Sequence, residues 1–150
     1  MNEEDVDKLL DEADASQKRI TELEARIKNP IIRSYQEFLD EEGKVKDKSP
    51  FYVIVHKSQI DRDSELDEQA RKKLLEEISF IEKNFDHAYA GPFRMANGVP
   101  NNRPIIVCGA YDAICVGQQH DLLIKAGYDT YISKEGTLCF DQEKPLGKEN

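Results

Sequence analysis

Cys108, Cys115 and His120 lie close together in "PIIVCGAYDAICVGQQHDLLIKAGYDTYI", residues 104–132, and are the side chains best suited to thiol or acid–base chemistry. The cysteines stand seven apart, one in a strand-like run and one early in a helical stretch. That spacing is neither CxxC nor CxxH, and it assembles no four-ligand metal site. Cys115 near a helix N-terminus occupies a position that lowers a thiol pKa, but both cysteines read first as small buried apolar residues. His120, beside Gln118, Gln119 and Asp121, reads as a solvent-facing histidine. His56 ends a strand-like run near Asp61 and Asp63, where a polar loop cluster explains it, and His87 follows Asp86 with no evident partner. "GAYDAICVG" lacks the glycine spacing of a phosphate loop, so Gly109 reads as a turn glycine. There is no Gly-x-Ser-x-Gly elbow and no His-Glu-x-x-His. These patterns predict no catalytic residue, no metal and no cofactor.

A second constellation lies in a loop. Arg94, Asn97, Asn101, Asn102 and Arg103 put two cations and three amides into ten residues. Such groups hold a carboxylate, a phosphate or a sugar through directed hydrogen bonds; turn chemistry accounts equally well for the asparagines.

The elements that must position these residues are marked by periodicity. "FYVIVHK" (51–57) is short, β-branched and aromatic, and predicts a buried strand. From Ser64, Leu66, Ala70, Leu74, Ile78, Ile81 and Phe85 repeat at helical spacing. "DHAYAGPF" (86–93) predicts a second strand, with Pro92 placing it at an end or an edge. "PIIVCGA" is apolar at successive positions, as in a central strand; Asp112 caps the next helix, Leu122, Leu123 and Ala126 face inward, and Gly127 ends it. "DTYIS" is a further strand that "GTLCF" extends, before a polar tail, 141–150.

The order β-α-β-β-α-β predicts an α+β, ferredoxin-like domain over 51–140, with both helices on one face of a four-stranded antiparallel sheet. Alternation sets Tyr52, Ile54 and His56 on one strand face and Phe51, Val53 and Val55 on the other. The uncovered sheet face must meet a helix, a subunit or a ligand, so Tyr52 and His56 join the loop residues as ligand-binding candidates.

Ahead of this domain, Val6, Leu9, Ala13, Ser16, Ile20, Leu23 and Ile27 alternate gaps of three and four, the a/d pattern of a coiled coil. Glu22 precedes Arg26 and Asp14 precedes Lys18 in the favourable i,i+4 order. The spacing predicts a helix over 3–28, a break at Pro30 and a second helix to about 42, built on Ile31, Ile32, Tyr35, Phe38 and Leu39. Residues 1–42 thus form a helical arm and 43–50 a linker. A helix of three heptads is marginal alone, so Val6, Leu9, Ala13, Ile20, Leu23 and Ile27 are expected to pack on another copy or fold back on the domain.

"IIVCGAYD" followed by "LLIKAGYDTYI" resembles the second half of SPOR domains, with echoes of the family in "SPFYVIV" and "AGPF". The likeness centres on residues 104–132. It implies a ferredoxin-like fold and a sheet surface that binds glycan strands, although "HKSQ" stands where the family's first Gly-aromatic motif falls.

Bulk composition bounds the function. The net charge of −9 argues against binding nucleic acid or anionic lipid, which needs clustered cations. The acidic start and the lack of any apolar run of membrane length predict a cytoplasmic chain, and three cysteines with no close pairing fit reduced thiols. The expected function is a non-catalytic assembly module that self-associates through its arm and binds a partner or ligand with the sheet face and the 94–103 loop. The alternatives are a small-ligand (nucleotide or sugar) binder or small enzyme on the same surface, or an acidic inhibitor in a partner's basic groove. An RNA-binding reading with Tyr52, Tyr89 and Tyr131 as stacking platforms lacks the basic motifs that chemistry requires.

Overall fold

The computed structural model describes residues 2–47, 49–60, 62, 67–91, 94–138 and 148–149, with backbone alone at 112, 113, 148 and 149. Helix α1 (Glu3–Lys28) leads into strand β1 (Ile31–Arg33) and a 3-10 turn (Tyr35–Phe38). Then come β2 (Phe51–Val55), the short α2 (Lys57–Ile60), α3 (Glu68–Asn84), β3 (His87–Ala90) and β4 (Ile105–Ala110). A π-type turn (Asp112–Val116), α4 (Gly117–Lys125), β5 (Thr130–Leu138) and β6 (Lys148–Glu149) complete the order.

The strands form one sheet in the order β3-β2-β4-β5-β1-β6, and every pairing in it is parallel. This overturns the ferredoxin-like, antiparallel expectation. The deciding segment is residues 91–104 between β3 and β4: parallel strands need a connection of about a dozen residues or more, and this one is long enough to cross back over β2. Right-handed crossovers that leave a central strand in opposite directions lie on opposite faces of the sheet. Accordingly Tyr52, Ile54, Ile106 and Cys108 pack with Leu74, Ile78 and Ile81 of α3. Phe51, Val53, Val55, Ile105 and Val107 pack on the other face with Ala96 of the connection and Val116 and Leu123 at α4. Both faces of β2 and β4 are therefore covered, and the uncovered face inferred from an antiparallel sheet does not exist at these strands. Unbroken apolar runs such as "FYVIV" are what such doubly covered parallel strands require.

The second difference lies after Pro30, which is buried. In place of a helix to about 42, Ile32 and Arg33 pair with Ile132 and Ser133 of β5. Ser34 then caps the 3-10 turn in a reciprocal box with Glu37. Tyr35 enters the α3-side core, and its hydroxyl donates to Glu77 at 2.7 Å. The apolar stripe at 31–39 fits helical spacing, but a free edge on β5 competes for the same residues and wins.

Candidate functional site

Helix α1 carries the most conspicuous surface. Asn2 caps it, accepting from the Asp5 amide at 2.9 Å, and Glu3, Glu4 and Asp5 complement the positive end of its dipole. Among the described residues, burial along it is confined to its last turns. Leu23, Arg26 and Ile27 are half-buried, whereas every residue described from 2 to 22 is exposed. At 1.5 Å per residue the free portion is about 30 Å long. Val6, Leu9 and Ile20 on its heptad seam are 42%, 52% and 48% exposed, and the adjoining Leu10 is 59% exposed.

The root of this helix is fixed by stacked cations. Arg26 donates to the Thr130 carbonyl, pairs with Asp129 at 3.5 Å and lies 4.8 Å over the Tyr131 ring. Arg33 lies 4.8 Å from the same ring and 4.7 Å from Phe38. Tyr131 thus joins α1, β1 and β5 through two guanidinium contacts. Sequence periodicity places Leu23 and Ile27 on the seam; what docks them is this cluster, which no local pattern marks.

The loop candidates are distributed along the connection from β3 to β4. Arg103 is committed to structure: it donates to the Ser49 carbonyl at 3.0 Å and the Pro50 carbonyl at 3.1 Å, and pairs with Asp86 at 2.8 Å. Arg94 is exposed, and its carbonyl accepts from Gln119 Nε2 at 2.7 Å. The same Gln119 side chain, buried in α4, accepts from the Ala96 amide at 2.8 Å. Asn97, Asn101 and Asn102 are exposed on this run. Arg94 and Arg103 therefore answer to different partners. Tyr52 is fully buried in the α3-side core, where burial raises its hydroxyl pKa. His56 stands at the carboxyl end of β2, the opposite end of the strand from the Pro50 carbonyl that holds Arg103.

The thiols and histidines are likewise redistributed. Cys108 is fully buried and its thiol is pushed well up by burial. Burial also raises Cys115, which is half-exposed, so the lowering expected of a helix N-terminus is not realised. Asp61, Asp63 and the side chain of Asp112 lie outside the described residues. His87 Nδ1 lies 2.9 Å from the Phe85 carbonyl, and its ring meets Tyr89 edge-on. The Tyr89 hydroxyl donates to Glu82, which raises its pKa to about 12, and Lys57 pairs with Glu82 at 2.7 Å. Among the described residues no group of three or more His, Cys, Asp or Glu is placed to hold a metal.

His120 departs from its sequence reading: it is fully buried, with Nδ1 3.0 Å from Asp121 Oδ1. Burial holds it below the ordinary histidine value, and Arg26 across from it on α1 adds to the lowering, against the opposing Asp121 carboxylate. A histidine depressed in the folded state contributes stability that is complete above its unfolded pKa, about 6.5, and lost as pH falls below that value and on through the folded one. Urea midpoints are therefore expected to drop between pH 7.5 and 5.5, with a slope of up to about 1.4 kcal/mol per pH unit from this group. His120→Gln should show a shallower drop; an unchanged drop removes His120 as the cause.

One further feature collects at the carboxyl ends of the two central strands. His56 has φ 55°, in the left-handed region. A cavity of about 100 Å³ lies between His56, Gln59 and Ile60 on one side and Ala110, Tyr111, Ile114 and Cys115 on the other. His56 was readable as a strand-end residue; its neighbours from β4 onward were not, because only the parallel pairing of β2 with β4 brings them across.

No protein-family model matches this chain, and no curated protein or solved structure matches it. The SPOR-like resemblance of residues 104–132 thus gains no support and meets no refutation from known proteins. No helix among the described residues is long and apolar enough to cross a membrane.

Proposed function

We propose that this protein is an assembly and binding module that self-associates through α1, two copies pairing their helices antiparallel. The observation that carries this reading is the exposed seam: Val6, Leu9, Leu10 and Ile20 are exposed on a helix whose residues 3–22 are all exposed. Most helical stability in proteins comes from packing of an apolar face, and a partner surface would supply it here.

Charge selects the partner and its direction. Residues 2–14 contain seven acidic side chains and one basic, whereas 15–28 contain two acidic and four basic. Parallel pairing sets the acidic halves against each other. Antiparallel pairing sets each acidic half against a basic one and brings Glu12 of one copy near Arg19 of the other, both flanking the seam. Ala13 and Ser16 fall at the centre, where small side chains let the helices approach closely.

Light scattering on the full chain is expected to give a dimer. In a background with Cys115 and Cys139 replaced by serine, Val6→Cys should not cross-link to itself on oxidation, because the two sites lie at opposite ends of the pair. A pair of chains bearing Val6→Cys and Leu23→Cys should cross-link. Efficient self-linking of Val6→Cys overturns the antiparallel orientation, and a monomeric chain overturns the reading altogether.

A further inference from the structure

We propose that the crevice at the carboxyl ends of β2 and β4 is a binding site for a small, uncharged, amide-bearing ring, such as a nucleobase or a nicotinamide. The topology creates the opening. The chain leaves β2 toward α3 on one face and leaves β4 toward α4 on the other. Connections that diverge in this way leave a gap outside the strand ends, where doubly wound sheets place their ligands. The floor is set by backbone: at Gly109, with φ 121°, an added Cβ would stand 2.2 Å from the Val55 carbonyl oxygen.

His56 forms one wall. Its amide donates to the Ala90 carbonyl at 3.2 Å, and its own carbonyl accepts from Gln59 at 3.0 Å and Ile60 at 3.2 Å. Three hydrogen bonds, from β3 and α2, thus hold its backbone in a conformation that costs a non-glycine residue about 1 kcal/mol or more, a condition that concentrates at ligand sites. Among the described residues nothing bonds the His56 imidazole or the Gln59 carboxamide. Together they offer donor and acceptor side by side, the complement of a ring edge that carries N–H beside C=O.

The remaining chemistry decides the ligand's charge and size. Among the described residues the lining includes no Lys, Arg, Asp or Glu, so no described side chain there would compensate a phosphate or a carboxylate. The Cys115 thiol, raised by burial, stays protonated at neutral pH. Ile60, Ala110 and Ile114 supply apolar walls for the faces of a flat ring. A volume of about 100 Å³, set against the roughly 150 Å³ of a cavity that takes benzene, admits the edge of one ring and excludes a whole nucleotide.

The test uses Cys115 as reporter on the full-length chain. Its alkylation by iodoacetamide, followed at that residue by peptide mass spectrometry, is measured with uracil, hypoxanthine, nicotinamide or inorganic phosphate present. At least one ring compound is expected to slow alkylation about tenfold when present at ten times its Kd. Gln59→Leu should remove the protection, with each chain's rate taken relative to its own unprotected rate, while leaving the far-UV spectrum as it was. Absence of protection by every ring, equal protection in Gln59→Leu, or protection by phosphate alone overturns the proposal. None of these outcomes bears on the dimer, which light scattering reads separately.

Discussion

Leu9→Lys combined with Ile20→Lys is expected to turn the dimer into a monomer whose globular part stays folded. Both side chains lie on the exposed seam, and neither belongs to the packed core on either face of the sheet. In a two-fold pair each substitution counts twice, so four apolar side chains are lost from the seam and four charges enter it. At about 2 kcal/mol for each side chain buried, the change removes roughly 8 kcal/mol from association, more than five orders of magnitude in Kd. Light scattering should therefore report a monomer, while the urea midpoint of the sheet domain shifts little. A double variant that remains dimeric would show that another surface holds the copies together. Truncation gives the same answer only if cut in the right place. Removing residues 1–22 spares the docked turns, whereas a cut at 42 also deletes β1 and Tyr35, and would unfold what it is meant to release.

Gly109→Ala is expected to destabilise the chain by about 4 kcal/mol or more, a large share of the roughly 5–15 kcal/mol of a typical domain. Two effects combine at this residue. Its φ of 121° disfavours any side chain, and the new Cβ would meet the Val55 carbonyl oxygen at 2.2 Å and its carbon at 3.1 Å. Those atoms are backbone, so no rotamer change relieves the overlap. The strands themselves must separate, breaking the pairing of Val53 with Val107 and Val55 with Gly109 at the centre of the sheet. Gly98→Ala is the control: its φ of 74° carries the conformational penalty, but nothing lies within 4 Å of an added Cβ. It should cost about 1–2 kcal/mol. A Gly109→Ala urea midpoint no lower than that of Gly98→Ala would show that the strands part at little cost.

What can be read from this sequence is chiefly what local periodicity controls. The heptad spacing from Val6 to Ile27 places α1 at Glu3–Lys28, and the stripe from Ala70 to Phe85 places α3. "FYVIV" and "IIVCGA" announce two strands buried on both sides, a sign of parallel central strands already present in the composition. Alternation also assigns Tyr52 and Ile54 to one face and Phe51, Val53 and Val55 to the other, as the two packed layers have them.

Tertiary structure decided what depends on residues far apart in the chain. Strand direction is one such property: nothing within β3 or β4 says whether they run together, and residues 91–104 could have turned back as readily as crossed over. The strand at Ile31–Arg33 is another, since it exists only because β5 has an edge to offer. His120 is the third. Its polar neighbours suggest solvent, but α4 is covered by the sheet on one side and by the root of α1 on the other, so its burial follows from a contact about a hundred residues away in sequence. The crevice at His56 belongs to the same class. Hydrogen-bond periodicity along one element fixes its kind and its faces, but a site between strand ends is fixed by which strands are neighbours, and that is settled only by competition among long-range pairings.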